Sequence, residues 1–252
     1  MQHHALVTGG GSGIGAAIAL ALVAQGARVT VLGRRMEMLQ ALVLAHPESM
    51  HAVCADVADA GQVAAAFTDA STRFGPVSIL INNAGQASSA PFLKTDAALW
   101  QQMLSVNLTG TFVCSQAALP AMLRSGWGRI VNVASTAGLA GYAYVAAYCA
   151  AKHGVIGLTK ALALEVAKKG ITVNAVCPGY TETEILRESI ANVIAKTGRS
   201  EADARAEFAK GNPQGRIVQP HEVADGVLWL CGDGAGAITG QSISVSGGEV
   251  TV

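Results

Sequence analysis

The sequence predicts an α/β fold: a doubly wound, mostly parallel seven-stranded sheet with helices on both faces, one domain over residues 1–252 with a small helical lid. Three observations predict it. Short β-branched runs alternate with Ala- and Leu-rich stretches of helical length, the pattern of repeated βαβ units. The composition, 51% hydrophobic and 13% charged, suits strands buried on both faces. A glycine-rich turn separates the first strand from the first helix, the context in which such a turn binds phosphate. At 252 residues the chain exceeds a typical domain, yet parallel α/β sheets reach this size around one core.

The first strand is expected at residues 5–7. It leads into Thr8-Gly9-Gly10-Gly11-Ser12-Gly13-Ile14-Gly15, which opens an apolar helix. Small residues there let the backbone approach a pyrophosphate, and the helix N-terminus offers it free N–H groups. Ile14 stands where a G-x-G-x-x-G spacing needs its last glycine, so an ordinary tight turn is the competing reading. The apolar stretch 14–24 stops at Gln25-Gly26, about half of what a membrane span needs, and reads as a buried helix.

The second strand, residues 28–32, runs into Val31-Leu32-Gly33-Arg34-Arg35. An NAD-specific site places a carboxylate here for the ribose hydroxyls. Two guanidiniums pair instead with a 2′-phosphate, so NADP is the expected cofactor and NAD the alternative. Against this stands the reading that Arg34 and Arg35 only solvate a helix start.

Further strands are expected at residues 50–54, 79–81, 129–133, 172–176 and 242–245. Asn107, in Ser105-Val106-Asn107-Leu108, lies in an otherwise apolar helix, where an amide demands partners. It either holds a water in a proton relay or is a buried structural residue. Ser135 follows the fifth strand, at the carboxyl edge where open α/β sheets bind ligands, so its hydroxyl can orient a substrate oxygen. Tyr148-Cys149-Ala150-Ala151-Lys152 puts a phenol and an ammonium on one helix face. Proton transfer by tyrosine near neutrality calls for a positive neighbour that stabilises phenolate, and Lys152 supplies one. Alone, such a pair is usually an exposed helix face; Ser135 and Asn107 change that balance.

Residues 136–147 are small and apolar apart from Tyr142 and Tyr144, suggesting a pocket for an alicyclic, aromatic or acyl group. Between residues 185 and 212 a charged helical stretch replaces the strand signal and ends at Gly211-Asn212-Pro213, which reads as the lid. It mixes Arg187, Lys196, Arg199, Arg205 and Lys210 with Glu188, Glu201, Asp203 and Glu207. This is either a solvated face or a clamp for the phosphates of a coenzyme A or carrier-protein thioester.

Lys+Arg and Asp+Glu balance at 17 each without a basic run, which excludes a nucleic-acid partner. The first strand starts so early that no leader fits before it, and the cytoplasm is expected, with no membrane partner. Cys54, Cys114, Cys149, Cys177 and Cys231 stand apart with no C-x-x-C pair, so they read as buried thiols rather than metal ligands or disulfides. His3-His4 reads as a solvated chain start, and no metal is expected.

Beyond the glycine turn and the Tyr148/Lys152 pair, the chain carries Asn82-Asn83-Ala84-Gly85, Asn107, Ser135, Pro178-Gly179 and the ending Thr239-Gly240-Gln241 through Gly247-Gly248. From Thr8 to Gly248 the set resembles the short-chain dehydrogenase/reductase family, whose fold is Rossmann-like. The resemblance implies that Gly9, Gly13 and Gly15 bound the pyrophosphate turn, with Ser12 and Ile14 inside it. It implies that Asp56, beside Val57, hydrogen-bonds adenine and that Asn83 lines the adenosine side. Thr183, in the Pro178-Gly179-Tyr180-Thr181-Glu182-Thr183 stretch with Thr181, would hold the carboxamide or diphosphate. Asp56 also reads as a loop cap, Asn83 as a turn former and Thr183 as a helix N-cap.

The implied reaction is hydride transfer between nicotinamide and a carbonyl or secondary alcohol, with Tyr148 giving or taking the proton. Ser135 would polarise the oxygen, Lys152 would lower the Tyr148 pKa and hold the nicotinamide ribose, and Asn107 would complete the proton path through water. Asn212-Pro213-Gln214-Gly215-Arg216 and the lid length resemble 3-oxoacyl-thioester reductases and polyketide ketoreductases, and also hydroxyacyl-CoA and cyclic-alcohol dehydrogenases. The preferred substrate is therefore a 3-oxoacyl thioester or cyclic ketone, with an NAD-dependent catabolic dehydrogenase as alternative. Family members commonly form homotetramers through the helices flanking the catalytic tyrosine and the final strand. A non-catalytic dinucleotide sensor and a structural scaffold are the rivals, and the complete set Asn107, Ser135, Tyr148 and Lys152 argues against both.

Overall fold

The computed structural model describes residues 3–251. Seven strands, β1 (His4–Thr8), β2 (Arg28–Gly33), β3 (Met50–Cys54), β4 (Ile79–Asn82), β5 (Gly128–Val133), β6 (Ile171–Pro178) and β7 (Ser242–Val245), form one sheet in the order β3-β2-β1-β4-β5-β6-β7. Every pairing is parallel. All seven expected runs are strands, several longer by a residue or more at an end.

Alternation along the strands divides the core. Ala5 and Val7 of β1 pack on one side with α1 (Gly13–Ala24), α2 (Met36–Ala45) and, from the far end of the chain, Val223, Val227 and Leu230. Leu6 packs on the other side with α3 (Ala60–Phe74) and with Cys114, Ala118, Met122, Ala163 and Val166. Side chains of one strand thus face opposite layers, as period two requires. The remaining helices are α4 (Ala97–Leu104), α5 (Gly110–Ser125), α6 (Ala146–Val166), α7 (Glu184–Thr197), α8 (Glu201–Ala209) and α9 (Pro220–Cys231). As expected for 14–24, α1 buries Gly15, Ile18, Ala19 and Leu22, while Leu20 faces outward.

Helix starts follow local chemistry. Asp59 accepts N–H bonds from Gly61 and Gln62 at the head of α3, Asp96 from Leu99 at α4, and Ser200 from Asp203 at α8. At α9, Gln219 and Glu222 form a capping box with Pro220 in the first turn. Strand order reverses between β1 and β4, and the crevice at their carboxyl ends is where such sheets take ligands. The stretch expected as a lid folds as α7 and α8, which pack on their own small core of Leu186, Ile190 and Ala204 with Phe208 and Ile217.

Two expectations are corrected. His4 is not a solvated end: it is buried, Nδ1 donating to the Gly75 carbonyl at 2.7 Å and Nε2 accepting from the Thr30 hydroxyl at 2.9 Å. β1 begins at His4, so the ring is drawn under the sheet's amino edge, and burial lowers its pKa. Of the five free thiols only Cys114, Cys177 and Cys231 are buried. Cys54 ends the edge strand β3 in solvent and Cys149 lies in the first turn of α6, half-buried. Among the described residues no His/Cys/Asp/Glu group could hold a metal, and no helix is long and apolar enough to cross a membrane.

Candidate active site

The glycine turn is shaped by crowding. Gly9 and Gly13 have φ of +63° and +53°, conformations that side chains other than glycine rarely adopt. A Cβ on Gly15 would lie 2.2 Å from the Gly9 carbonyl oxygen and 2.5 Å from Asn83 Nδ2. Asn83 clamps the turn from β4: its amide nitrogen donates to the carbonyls of Thr8 (3.0 Å) and Gly9 (3.2 Å). The N–H groups of Asn83 and Ala84 both donate to the Thr8 hydroxyl at 3.0 Å. Ser12 occupies the N-cap of α1 in extended conformation without capping it, and the first turn holds no acidic residue. Bare N–H groups, no competing carboxylate on the helix and a cradle too tight for a methyl fit a pyrophosphate.

At the end of β2, Arg34 projects into solvent with Nη1 4.0 Å from Asp56 Oδ2. Arg35 is held: its Nη2 lies 2.7 Å from Glu184 Oε2 and 3.2 Å from Ser12 Oγ. Asp56 accepts from the Ala58 N–H at 2.9 Å, the loop-cap geometry, and Val57 is buried beneath Gly110, where a Cβ would meet Val57 Cγ2 at 2.8 Å. Arg34 is thus the more exposed and more loosely paired guanidinium, while Arg35 is held between Ser12 and Glu184. Thr183 N-caps α7, accepting from the Leu186 N–H at 3.4 Å, and its methyl packs where a Gly13 side chain would go. The buried Thr181 hydroxyl donates back to the Gly179 carbonyl at 3.0 Å.

A buried polar chain fixes the catalytic helix. Asn82 Nδ2 donates to Ser115 Oγ (3.0 Å) and to Asn132 Oδ1 (2.9 Å), and Asn132 Nδ2 donates to Thr159 Oγ1 (2.8 Å). It links β4, β5, α5 and α6 in a core where each unmade bond costs about 1–3 kcal/mol. Gly138 lets α6 approach the turn after β5: a Cβ there would lie 2.8 Å from the Lys152 carbonyl oxygen. Ser135 Oγ accepts from the Ala137 N–H at 3.1 Å, which leaves its own hydrogen to donate.

Tyr148 stands on the first turn of α6, half-buried. Burial pushes its phenol up to about 12, against the pull of the Ser135 hydroxyl. Lys152 is 4% exposed and pushed down to about 8, again by burial. Its Nζ donates to the Val133 carbonyl at 2.8 Å and lies 5.7 Å from the centre of the Tyr148 ring. Burial is the largest influence on both groups, and the ammonium turns to a backbone carbonyl while staying over the Tyr148 ring. Among the described residues Lys152 has no second acceptor, although a buried ammonium with three donors demands more. Ribose hydroxyls answer that demand, so the pair fits a nicotinamide ribose.

Asn107 is buried in a π-helical turn, Ser105–Thr109, between α4 and α5. Its Nδ2 donates to the carbonyls of Gln86 and Met103, both at 3.0 Å, and Oδ1 accepts from the Gln86 N–H at 3.2 Å. The structural reading is realised, and Oδ1 keeps one lone pair for a water. A Cβ on Gly85 would stand 2.8 Å from that Oδ1 and 3.7 Å from Lys152 Nζ, so Asn107 and Lys152 flank one point.

On the substrate side Tyr144 has φ of +68°, a strained value for tyrosine, and its carbonyl accepts from the Ala90 N–H at 2.8 Å. Tyr142 donates its hydroxyl proton to Glu249 at 2.7 Å. Sequence reasoning missed both Glu184 and Glu249, whose partners lie 149 and 107 residues away. The lid cations are largely spent: Arg187 and Arg205 pair with Glu182 and Arg199 with Glu207, as in a solvated face.

Residues 3–193 match the family model of short chain dehydrogenases. The chain is 44% identical over 253 residues to the "Putative ketoacyl reductase" of Streptomyces coelicolor, covering 97% of this chain and 95% of that one. It is 36% identical over 261 residues to D-beta-hydroxybutyrate dehydrogenase of Rhizobium meliloti, covering 98% of each. Among solved structures, a single-residue variant of actinorhodin polyketide ketoreductase with NADPH superposes with a TM-score of 0.94 at 41% identity, over 98% of this chain and 97% of that one.

Proposed function

This chain belongs to the short chain dehydrogenase family, and on that premise we propose that it is an NADPH-dependent ketone reductase acting on a 3-oxoacyl thioester or cyclic ketone. The observation that carries the reading is the placement of Tyr148 on the first turn of α6 beside the Ser135 hydroxyl and the Lys152 ammonium, at the carboxyl edge next to the glycine cradle. A phenol placed there can give its proton to a carbonyl oxygen as the hydride arrives.

NADPH is supported by the exposed Arg34, which pairs only loosely with Asp56, by the absence of a carboxylate at the end of β2, and by the NADPH-bound ketoreductase to which the chain is similar. When bound, the dinucleotide supplies the hydride. Gly9, Ser12, Gly13, Ile14 and Gly15 would take its pyrophosphate, with Thr183 alongside. Arg34 would take the 2′-phosphate, Asp56, Val57 and Asn83 would border the adenosine, and Lys152 would hold the nicotinamide ribose. Ser135, whose hydroxyl meets the Tyr148 phenol, would hold the substrate oxygen together with it, and Tyr148 would donate the proton as negative charge develops there. Lys152, over the ring, stabilises the phenolate left behind. Asn107 holds the Gln86 loop and offers Oδ1 to a water that returns the proton.

The same reading carries one domain under an α7–α8 lid, and a homotetramer. Trp100, Phe112 and Leu164 are exposed on α4, α5 and α6, and Trp229 on α9, the apolar faces such an assembly would bury. Five free cysteines suit the reducing cytoplasm. The deciding experiment is Tyr148→Phe with NADPH and a panel of 3-oxo esters and cyclic ketones. Turnover should fall about 10²–10⁴-fold, while NADPH still raises the melting temperature. Retained turnover would refute the assignment.

A further inference from the structure

Glu249 lies near the chain end, yet it is lodged against the substrate side of the site. Gly247 and Gly248, at φ of +64° and +95°, turn the chain after β7 and carry it there. The carboxylate receives the Tyr142 hydroxyl at 2.7 Å. A Cβ on Gly179 would come within 2.6 Å of Oε2, and one on Gly211 within 3.5 Å of Oε1. Tyr142 belongs to the loop between Ser135 and Tyr148, Gly179 follows β6 at the same sheet edge, and Gly211 closes the lid. The carboxylate therefore sits where these three segments meet, half-buried. Among the described residues it has no cationic partner within 4.0 Å, unlike Glu182, Glu184, Glu207 and Glu222. Its charge reaches the surroundings: burial raises the pKa of Tyr142 and Tyr180, and Glu249 adds to both shifts.

Resting on the ketone-reductase reading, we propose that Glu249, backed by Tyr142, is a specificity-determining residue that rejects free 3-oxo acids and admits neutral 3-oxo esters and thioesters. An unpaired negative charge where the loop before Tyr148, the edge after β6 and the end of the α7–α8 segment meet repels a carboxylate carried by the substrate and leaves an ester untouched. Taking a separation of about 8 Å and an effective dielectric of about 20, two like charges change affinity about thirtyfold, which solvent screening trims to roughly tenfold. Tyr142 holds the carboxylate in place without neutralising it.

The test compares kcat/KM for methyl acetoacetate and for the acetoacetate anion, followed by NADPH absorbance, in the natural protein, Glu249→Gln and Tyr142→Phe. Glu249→Gln keeps an acceptor for Tyr142 and removes the charge, so its ester-to-acid ratio should fall roughly tenfold. Tyr142→Phe keeps the charge and should keep most of the ratio. In the natural protein, added salt should narrow the ratio, a readout that needs no variant. A ratio unmoved by both Glu249→Gln and salt overturns the proposal while leaving the reductase reading intact. Turnover of neither substrate by the natural protein removes that reading and the proposal with it.

Discussion

Gly138 is the point at which α6 touches the turn that carries Ser135, and Gly138→Ala measures what that contact is worth. The added methyl would lie 2.8 Å from the Lys152 carbonyl oxygen, 3.1 Å from its carbon and 3.3 Å from Ile156 Cγ1. Two of these are backbone atoms, so no rotamer change relieves them. To reach the 3.4 Å of ordinary contact, α6 must withdraw by about 0.6 Å, taking Tyr148 and Lys152 away from Ser135. Overpacking of this kind costs about 1–3 kcal/mol, and each kcal/mol lowers Tm by roughly 2–4 °C in a chain of this size. A misplacement of about 1 Å at a catalytic centre costs about a hundredfold in rate, so a shift of about 0.6 Å should lower kcat roughly tenfold. The glycine turn and Arg34 ride on other elements and only the Lys152 contact moves with α6, so the Kd for NADPH should change only a few-fold. Steady-state kinetics, NADPH titration and thermal melting on one preparation separate these quantities. Natural kcat together with natural Tm would refute the reasoning, and so would a large loss of NADPH affinity with kcat retained.

Arg34→Asp should reverse the preference between NADPH and NADH, because it removes the exposed guanidinium at the end of β2 and installs a carboxylate for ribose hydroxyls; comparison of KM for the two dinucleotides reads it, and an unchanged preference counts against Arg34. Reductive kcat/KM should hold below neutrality and decline as pH rises through about 8, since Lys152 loses its charge there while Tyr148, up to about 12, keeps its proton. A profile level to pH ~10 would exclude a required ammonium. His4, lowered by burial from 6.5, stays neutral in the fold, so its contribution is complete above 6.5 and is lost as pH falls toward its folded value. Unfolding free energies from urea titrations between pH 7 and 5 should drop by up to about 1.4 kcal/mol per pH unit from this group, and by less in His4→Gln; equal slopes would show that His4 does not govern the acid limb.

Much of this was legible in the chain because the relevant signals are local. β-branched runs, turn glycines and the Tyr148/Lys152 spacing each act over a few residues, and each lies where expected. What escaped depends on contacts between distant segments. His4 looks like a frayed end until Thr30 and Gly75 close around it. Arg34 and Arg35 look equivalent until Glu184, from the lid, takes one of them. The Lys152 ammonium faces the Tyr148 side of α6 as the spacing requires, yet the balance between its field and burial is decided by the depth of the pocket. Nothing near Glu249 in sequence announces a partner in the loop before α6.

The Asn83 clamp also says when the phosphate cradle can exist. Its amide reaches Thr8 and Gly9 across 75 and 74 positions of chain. A nascent polypeptide that has emerged only through α3 therefore holds every glycine of the turn and the Gly10 bond to β2, but not the clamp that closes it. Loop closure over such a span comes late in folding, so the ability to grip a dinucleotide should arise together with the β1–β4 pairing rather than with the first βαβ unit. A fragment cut before β4 would keep the motif intact as text and lack it as a site.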